Sequence, residues 1–221
     1  AFLYRTIPDV DPGGASHPNP LVIARRILKH PGTVPYATYT FLLLLFTYAA
    51  PQVFALLEKE WLALGSGTVV LLANVTRVGA FAGFWFSGRL VDRHGSRRFF
   101  VSTHFLFAVV ILGFAFHSLY GAFLIPALVV LHALFGLTLA VSGILLTSET
   151  LSVSPSVDRA FGLAMLMSVQ QGGRALSGLA VSALLGLDIL NDSWSVGGVV
   201  FGRYDSVLLL LGFMTLVMLV T

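Results

Sequence analysis

The chain has no cysteine, which excludes disulfides, thiol nucleophiles and cysteine-ligated metals. Charge is scarce: 10% of residues are Asp, Glu, Lys or Arg, against about 25% in ordinary soluble domains. Acidic residues are missing from the middle of every long apolar run. Glu58, Glu60, Asp92, Glu149, Asp158, Asp188, Asp192 and Asp205 fall at run ends or between runs, and Asp9 and Asp11 precede the first. There is no glycine-rich phosphate loop, no H-E-x-x-H, no Cys/His cluster of metal spacing and no G-x-S-x-G. Those patterns serve nucleotide, zinc and serine chemistry. No catalytic residue, metal site or cofactor is therefore expected, and the reading is not an enzyme.

What is abundant is apolar sequence. The 221 residues are 57% hydrophobic, with a mean hydropathy of +0.89. A span needs roughly 20 mostly apolar residues to cross about 30 Å of hydrocarbon. Six segments qualify: about 35–57, 66–88, 98–117, 122–147, 160–187 and 204–221. Each should be helical, because backbone facing lipid must satisfy its own hydrogen bonds. A β-barrel would need alternating segments of about ten residues, and Phe41-Leu-Leu-Leu-Leu-Phe46 does not alternate. Pro51 and Pro126 are expected to kink the first and fourth helices. Gly79 and Gly83 in the second, and Gly162, Gly172, Gly173, Ser177, Gly178 and Ser182 in the fifth, suit close helix approach.

Residues 1–34 hold Pro8, Pro12, Gly13, Gly14, Pro18, Pro20 and Pro31, a linker composition. Within them, Leu21 to Lys29 reads equally as an amphipathic turn or two at the lipid surface or as a helical stretch of solvated linker. The domain division is a linker over 1–34 and a six-helix domain over 35–221.

Sidedness follows from Lys and Arg. If 1–34 is cytoplasmic, that side also receives 89–98 and 148–159. It then holds Arg5, Arg25, Arg26, Lys29, Arg89, Arg93, Arg97, Arg98 and Arg159, nine of thirteen basic residues. The opposite side holds Lys59 and Arg203, and Arg77 and Arg174 lie inside spans. The formal charge of +3 thus reads as lipid sidedness rather than nucleic-acid binding. Trp61, Trp85 and Trp194 sit near span ends, as interfacial tryptophans do. The expectation is a multi-pass protein of the inner (plasma) membrane with both chain ends cytoplasmic. The two halves match in plan. Spans one to three and four to six have similar lengths, and the middle helix of each carries one arginine. Triplets of inverted topology are a recurring plan of secondary transporters.

Between the second and third spans lies Gly88-Arg-Leu-Val-Asp-Arg-His-Gly-Ser-Arg-Arg98. Gly88 and Gly95 suit a tight turn with positive φ. Asp92 can complement a helix N-terminus. Arg93 can pair with Glu149, and Glu149 with Arg159, in an alternating charge chain at the cytoplasmic surface. Alternatively the arginines only bind anionic headgroups and set topology. The stretch resembles the loop signature of the major facilitator superfamily, roughly G-x-L-x-D-R-x-G-R-R. Gly88, Leu90, Asp92, Arg93, Gly95, Arg97 and Arg98 match, and Ser96 stands where a basic residue is frequent. Glu149, Pro155 and Arg159 resemble the family's E…P…R pattern in the next triplet, with Ala160 where glycine is common. The resemblance implies an all-α, twelve-helix secondary transporter, of which this chain is the C-terminal six-helix half and 1–34 the central linker. The N-terminal half is then a partner. The loop residues would latch a cytoplasmic gate.

Arg77 and Arg174 are the candidate substrate residues. An arginine at mid-span costs about 2.5–3.5 kcal/mol on insertion scales and must face protein, water or an anion. Asn74 stands one turn from Arg77, and Gln170 and Gln171 stand similarly to Arg174. Guanidinium forks suit carboxylate or phosphate oxygens. The bland reading is an ion pair with the missing half, or a structural role. His132 inside the fourth span can relay a proton or simply pack. The expected function is transport of a small organic or inorganic anion by alternating access. The alternatives are an efflux carrier for lipophilic or cationic compounds, or a non-transporting membrane sensor.

Overall fold

The computed structural model describes residues 19–94, 96–154, 159–186, 190 and 193–219. Helix α1 (Pro20–Lys29) starts at Asn19, whose side chain caps Leu21 N–H. Its inner face buries Ile27, while Leu21, Leu28, Arg25 and Lys29 are exposed. Helices α2 (Thr33–Thr47) and α3 (Ala50–Leu56) continue into a π-turn, Leu57–Trp61. Then come α4 (Ser66–His94), α5 (Ser96–Ala115), two short 3-10 turns, α6 (Leu124–Val153), α7 (Arg159–Gly186) and α8 (Arg203–Val217). A hairpin of β1 (Ser193–Val196) and β2 (Val199–Gly202) precedes α8.

The protein is thus mostly helical. Among the described residues, three stretches are long and apolar enough to cross a membrane: Thr33–Trp61, Ser66–Arg89 and Gly121–Val153. The apolar part of α5, Phe99–Ala115, is shorter. Helix α7 has 28 residues, but Gln170, Gln171, Arg174 and its glycines dilute its hydropathy. This fits a membrane protein.

Helices pair unevenly. Helix α4 runs along α6, α2 along α7, and α5 against both α6 and α8, with α2 also touching α8. Small residues set the first two contacts. A Cβ on Gly79 or Gly136 would strike the backbone of Ala133 or Thr76, and one on Gly83 would stand 2.6 Å from the Leu137 carbonyl oxygen. A Cβ on Gly173 would meet the Phe41 carbonyl oxygen at 2.5 Å. The central core joins α3, α5, α6 and α8: Phe54 stacks on Phe114 at 3.7 Å, and Phe135 meets Phe54 edge-on.

One local expectation is met and two are corrected. The first helix breaks at Tyr48–Ala49 with Pro51 in the first turn of α3, as a proline there requires. Pro126, however, sits in the first turn of α6, where its missing N–H costs nothing, so it starts a helix instead of kinking one. Gly88 lies within α4 and not at a turn; among the described residues the left-handed glycines are Gly32, Gly121, Gly197 and Gly198. The latter two form the two-residue turn of the β-hairpin, an element an all-helical reading leaves out.

Candidate functional site

Arg77 and Arg174 occupy matching local settings. Each is the fourth residue of a helical turn that opens with an amide. Arg77 Nη1 donates to Asn74 Oδ1 at 3.4 Å, and Arg174 Nη1 to Gln171 Oε1 at 3.4 Å. Both bonds are long, so each amide restrains its guanidinium weakly. Arg174 also lies over the ring of Tyr48, 5.4 Å from its centroid. Its Nε is buried without a hydrogen-bond partner. Among the described residues, neither arginine has an acidic partner; the ion pairs there are His117–Asp205, His132–Glu58 and Arg203–Glu60. Arg77 is exposed, on the side of α4 that also shows Val70, Val78, Phe81 and Trp85.

Gln170 departs from its expected role. It is buried, and its Nε2 donates to Thr150 Oγ1 at 3.0 Å, which lies 2.8 Å from the Tyr36 hydroxyl. Gln170 and Gln171 are adjacent and so point about 100° apart on a helix. Only Gln171 reaches Arg174; Gln170 ties α7 to α6 and α2.

Of the gate set, Gly95 and the side chains of Asp92, Arg97 and Arg98 lie outside the described residues, as does Pro155. Arg93 and Arg159 are exposed. Glu149 accepts from Ser152 Oγ at 3.4 Å. Among the described residues no ion pair joins Arg93, Glu149 and Arg159, so the alternating charge chain is not closed here.

Two acidic residues assigned to run ends are in fact interior. Glu58 and Asp205 are 1% and 0% exposed. Glu58 Oε1 meets His132 Nε2 at 2.6 Å, and Thr76 Oγ1 meets His132 Nδ1 at 2.7 Å. Asp205 Oδ1 faces His117 Nδ1 at 3.1 Å, and its other oxygen caps Gly202 N–H at 2.8 Å. His104 is buried between the Tyr39 hydroxyl and Ser142. The depth of His132 in an apolar run makes it legible as a candidate; nothing comparable marks its partner. Glu58 stands in the π-turn, in a Leu-Glu-Lys-Glu-Trp stretch that reads as a polar helix end.

Two clefts border these elements. One, of about 190 Å³, is apolar and lies among α4, α5 and α6 around Phe86, Phe99 and Leu137. The other, of about 120 Å³, lies between Thr147, Thr150, Met167 and Gln170. Neither is lined by Arg77 or Arg174. Comparison with family models, curated proteins and solved structures finds no match.

Proposed function

We propose that the chain is six-helix half of a secondary transporter of the major facilitator type and that it carries a small anion. The observation that carries this reading is the pair of arginines inside apolar helices. Each is met by a neutral amide, neither has an acidic mate among the described residues, and Arg174 keeps a buried Nε unspent. A buried donor without a partner costs about 1–3 kcal/mol, which an anionic oxygen would recover.

Helix pairing supports the two-triplet plan. Counting α2–α3 as the first span and α4 to α8 as the rest, the first pairs with the fifth, the second with the fourth and the third with the sixth. The third also meets the fourth, and the first meets the sixth. Exchanging spans one to three with four to six leaves that set unchanged, as inverted repeats require. Arg77 and Arg174 fall on the two helices that this exchange relates. The apolar, arginine-bearing side of α4 then faces the second half across a central cavity, with Arg77, Arg174, Asn74 and Gln171 at the substrate. Gln170 serves packing in this conformer. The open charge chain of Arg93, Glu149 and Arg159 suits a latch that closes in the opposite conformer.

The test is exchange of radiolabelled phosphate, sulfate, lactate and citrate by the full-length protein in proteoliposomes. Losing a charge-assisted contact of about 1.5–3 kcal/mol should slow exchange of the accepted anion about tenfold or more in Arg77→Ala and in Arg174→Ala. Wild-type exchange by both folded variants would remove these residues from the site.

A further inference from the structure

The strongest polar cluster outside the arginine site is Glu58, His132 and Thr76. It joins three elements: the π-turn, α6 and α4. The side chains of His132 and Glu58 are 7% and 1% exposed. Phe54 and Phe114 meet the imidazole edge-on, at 6.0 and 5.0 Å between ring centroids. Lys59 donates to Ser66, Glu60 takes Tyr204 and Arg203, and His117 takes Asp205. Arg77, the residue after Thr76, holds to Asn74.

The geometry accepts two protonation states without stranding a polar atom. With a neutral imidazole, Nε2–H donates to Glu58 and Nδ1 accepts from the Thr76 hydroxyl. With an imidazolium, Nε2–H still donates to Glu58, while Nδ1–H donates to Thr76 Oγ1. The hydroxyl proton must then point elsewhere, and the Leu72 carbonyl oxygen lies 3.5 Å from Oγ1. A hydroxyl rotates freely and both donates and accepts, so Thr76 can follow the proton at Nδ1. Burial otherwise penalises a change of charge. A cluster that merely packed would need only one of these arrangements. The π-turn that delivers Glu58 is a distortion seen often at functional sites.

The charge of the two states differs in a useful way. The imidazolium–carboxylate pair is neutral. The imidazole–carboxylate pair leaves one buried negative charge on Glu58, joined through His132 to Thr76, the residue before Arg77. We infer that Glu58, His132 and Thr76 form a proton-binding site that couples a proton to the anion, so that the carrier moves the two together. This rests on the transporter reading above and names its coupling ion. One N–H bond, at His132 Nδ1, forms from a proton taken on one side of the membrane and breaks to release it on the other. The anion binds when the pair is neutral and is disfavoured when the pair is negative.

The test compares wild type, Glu58→Gln, Thr76→Val and Thr76→Ser in the full-length protein. In proteoliposomes, Thr76→Val and Glu58→Gln should keep exchange of the accepted anion and lose accumulation driven by a pH gradient; Thr76→Ser should restore it. Gradient-driven accumulation at wild-type level in Thr76→Val and Glu58→Gln overturns the inference while leaving the transporter reading intact. If no anion of the panel is exchanged even by wild type, the transporter reading fails. The proton site then stands or falls on infrared titration of the purified protein between about pH 5 and pH 8. A titrating signal that shifts in Glu58→Gln and Thr76→Val supports a proton site; a flat, mutation-independent response in that range overturns it. Because infrared titration needs no transport, it also decides the matter for a variant that reconstitutes poorly.

Discussion

Ser177 shows how much one hydroxyl can carry in an apolar helix. At the break between α2 and α3, the rung from Ala49 N–H to the Leu45 carbonyl is opened. Ser177 Oγ sits in it, accepting from Ala49 N–H at 2.9 Å and donating to Leu45 O at 2.7 Å. Insertion of a side chain into the ladder is one recognised origin of a kink. Ser177→Ala would leave a buried N–H and a buried carbonyl unpaired, costing about 1–3 kcal/mol. Thermal unfolding in detergent should show the loss, and Ser177→Thr should recover part of it. An unchanged midpoint in Ser177→Ala would mean that water, or a re-formed Ala49–Leu45 rung, takes over. The sequence shows Ser177 only as one small residue among several, since its role depends on a break elsewhere. Arginine–amide pairs are readable from i, i+3 spacing, but choosing Gln171 over Gln170 requires knowing which side of α7 meets α6. Glu58 hides for a related reason. The π-turn, with Leu62 N–H bonded to Leu57 O at 2.9 Å, turns a residue inward that ordinary helical periodicity would place at a solvated end.

At the level of elements, the apolar runs make six helical segments readable, because a long run has few other ways to satisfy its backbone. Boundaries are less so: α4 continues to His94, since nothing in Arg89–Arg93 forbids a helix and Gly88 needs no special conformation. Which helices touch is encoded in glycine placement. Gly79, Gly83 and Gly136 bring α4 and α6 backbone to backbone, and Gly173 does the same for α7 and α2. A methyl at Gly136 would meet the Thr76 backbone, which no rotamer change can relieve. Gly136→Ala should therefore cost about 1–3 kcal/mol, as overpacking does, and should shift Thr76 against His132. Gly143, on the same helix with open space around it, is the control, and Gly143→Ala should cost nothing and gain up to about 1 kcal/mol from helix propensity. Equal destabilisation by both substitutions would argue against the close α4–α6 approach.

For the molecule as a whole, the outer side of α4 is the decisive surface. Val78 and Phe81 are each 70% exposed, and Phe84 and Trp85 are 60% and 64% exposed. Aqueous monomers rarely show apolar patches of that extent, which mark membrane or protein contact surfaces. On the proposed topology, the π-turn, the Ser66 end of α4 and the β-hairpin share one side of the bilayer. Helix α1, the Arg93 end of α4 and the start of α7 share the other. The absence of cysteine among these 221 residues makes the arrangement directly measurable. Single cysteines at Ser66 and Ser195, in a cysteine-free full-length background, should react with an impermeant maleimide added to intact cells. Cysteines at Arg93 and Arg159 should react only after the membrane is opened. An even number of crossings separates Arg93 from Arg159, and an odd number separates Ser66 from either, so one extra or missing span would change the labelling at a specific site. Labelling of Arg93 and Ser66 from the same side would show that α4 does not cross, and the arginine at its centre would then no longer lie at bilayer depth.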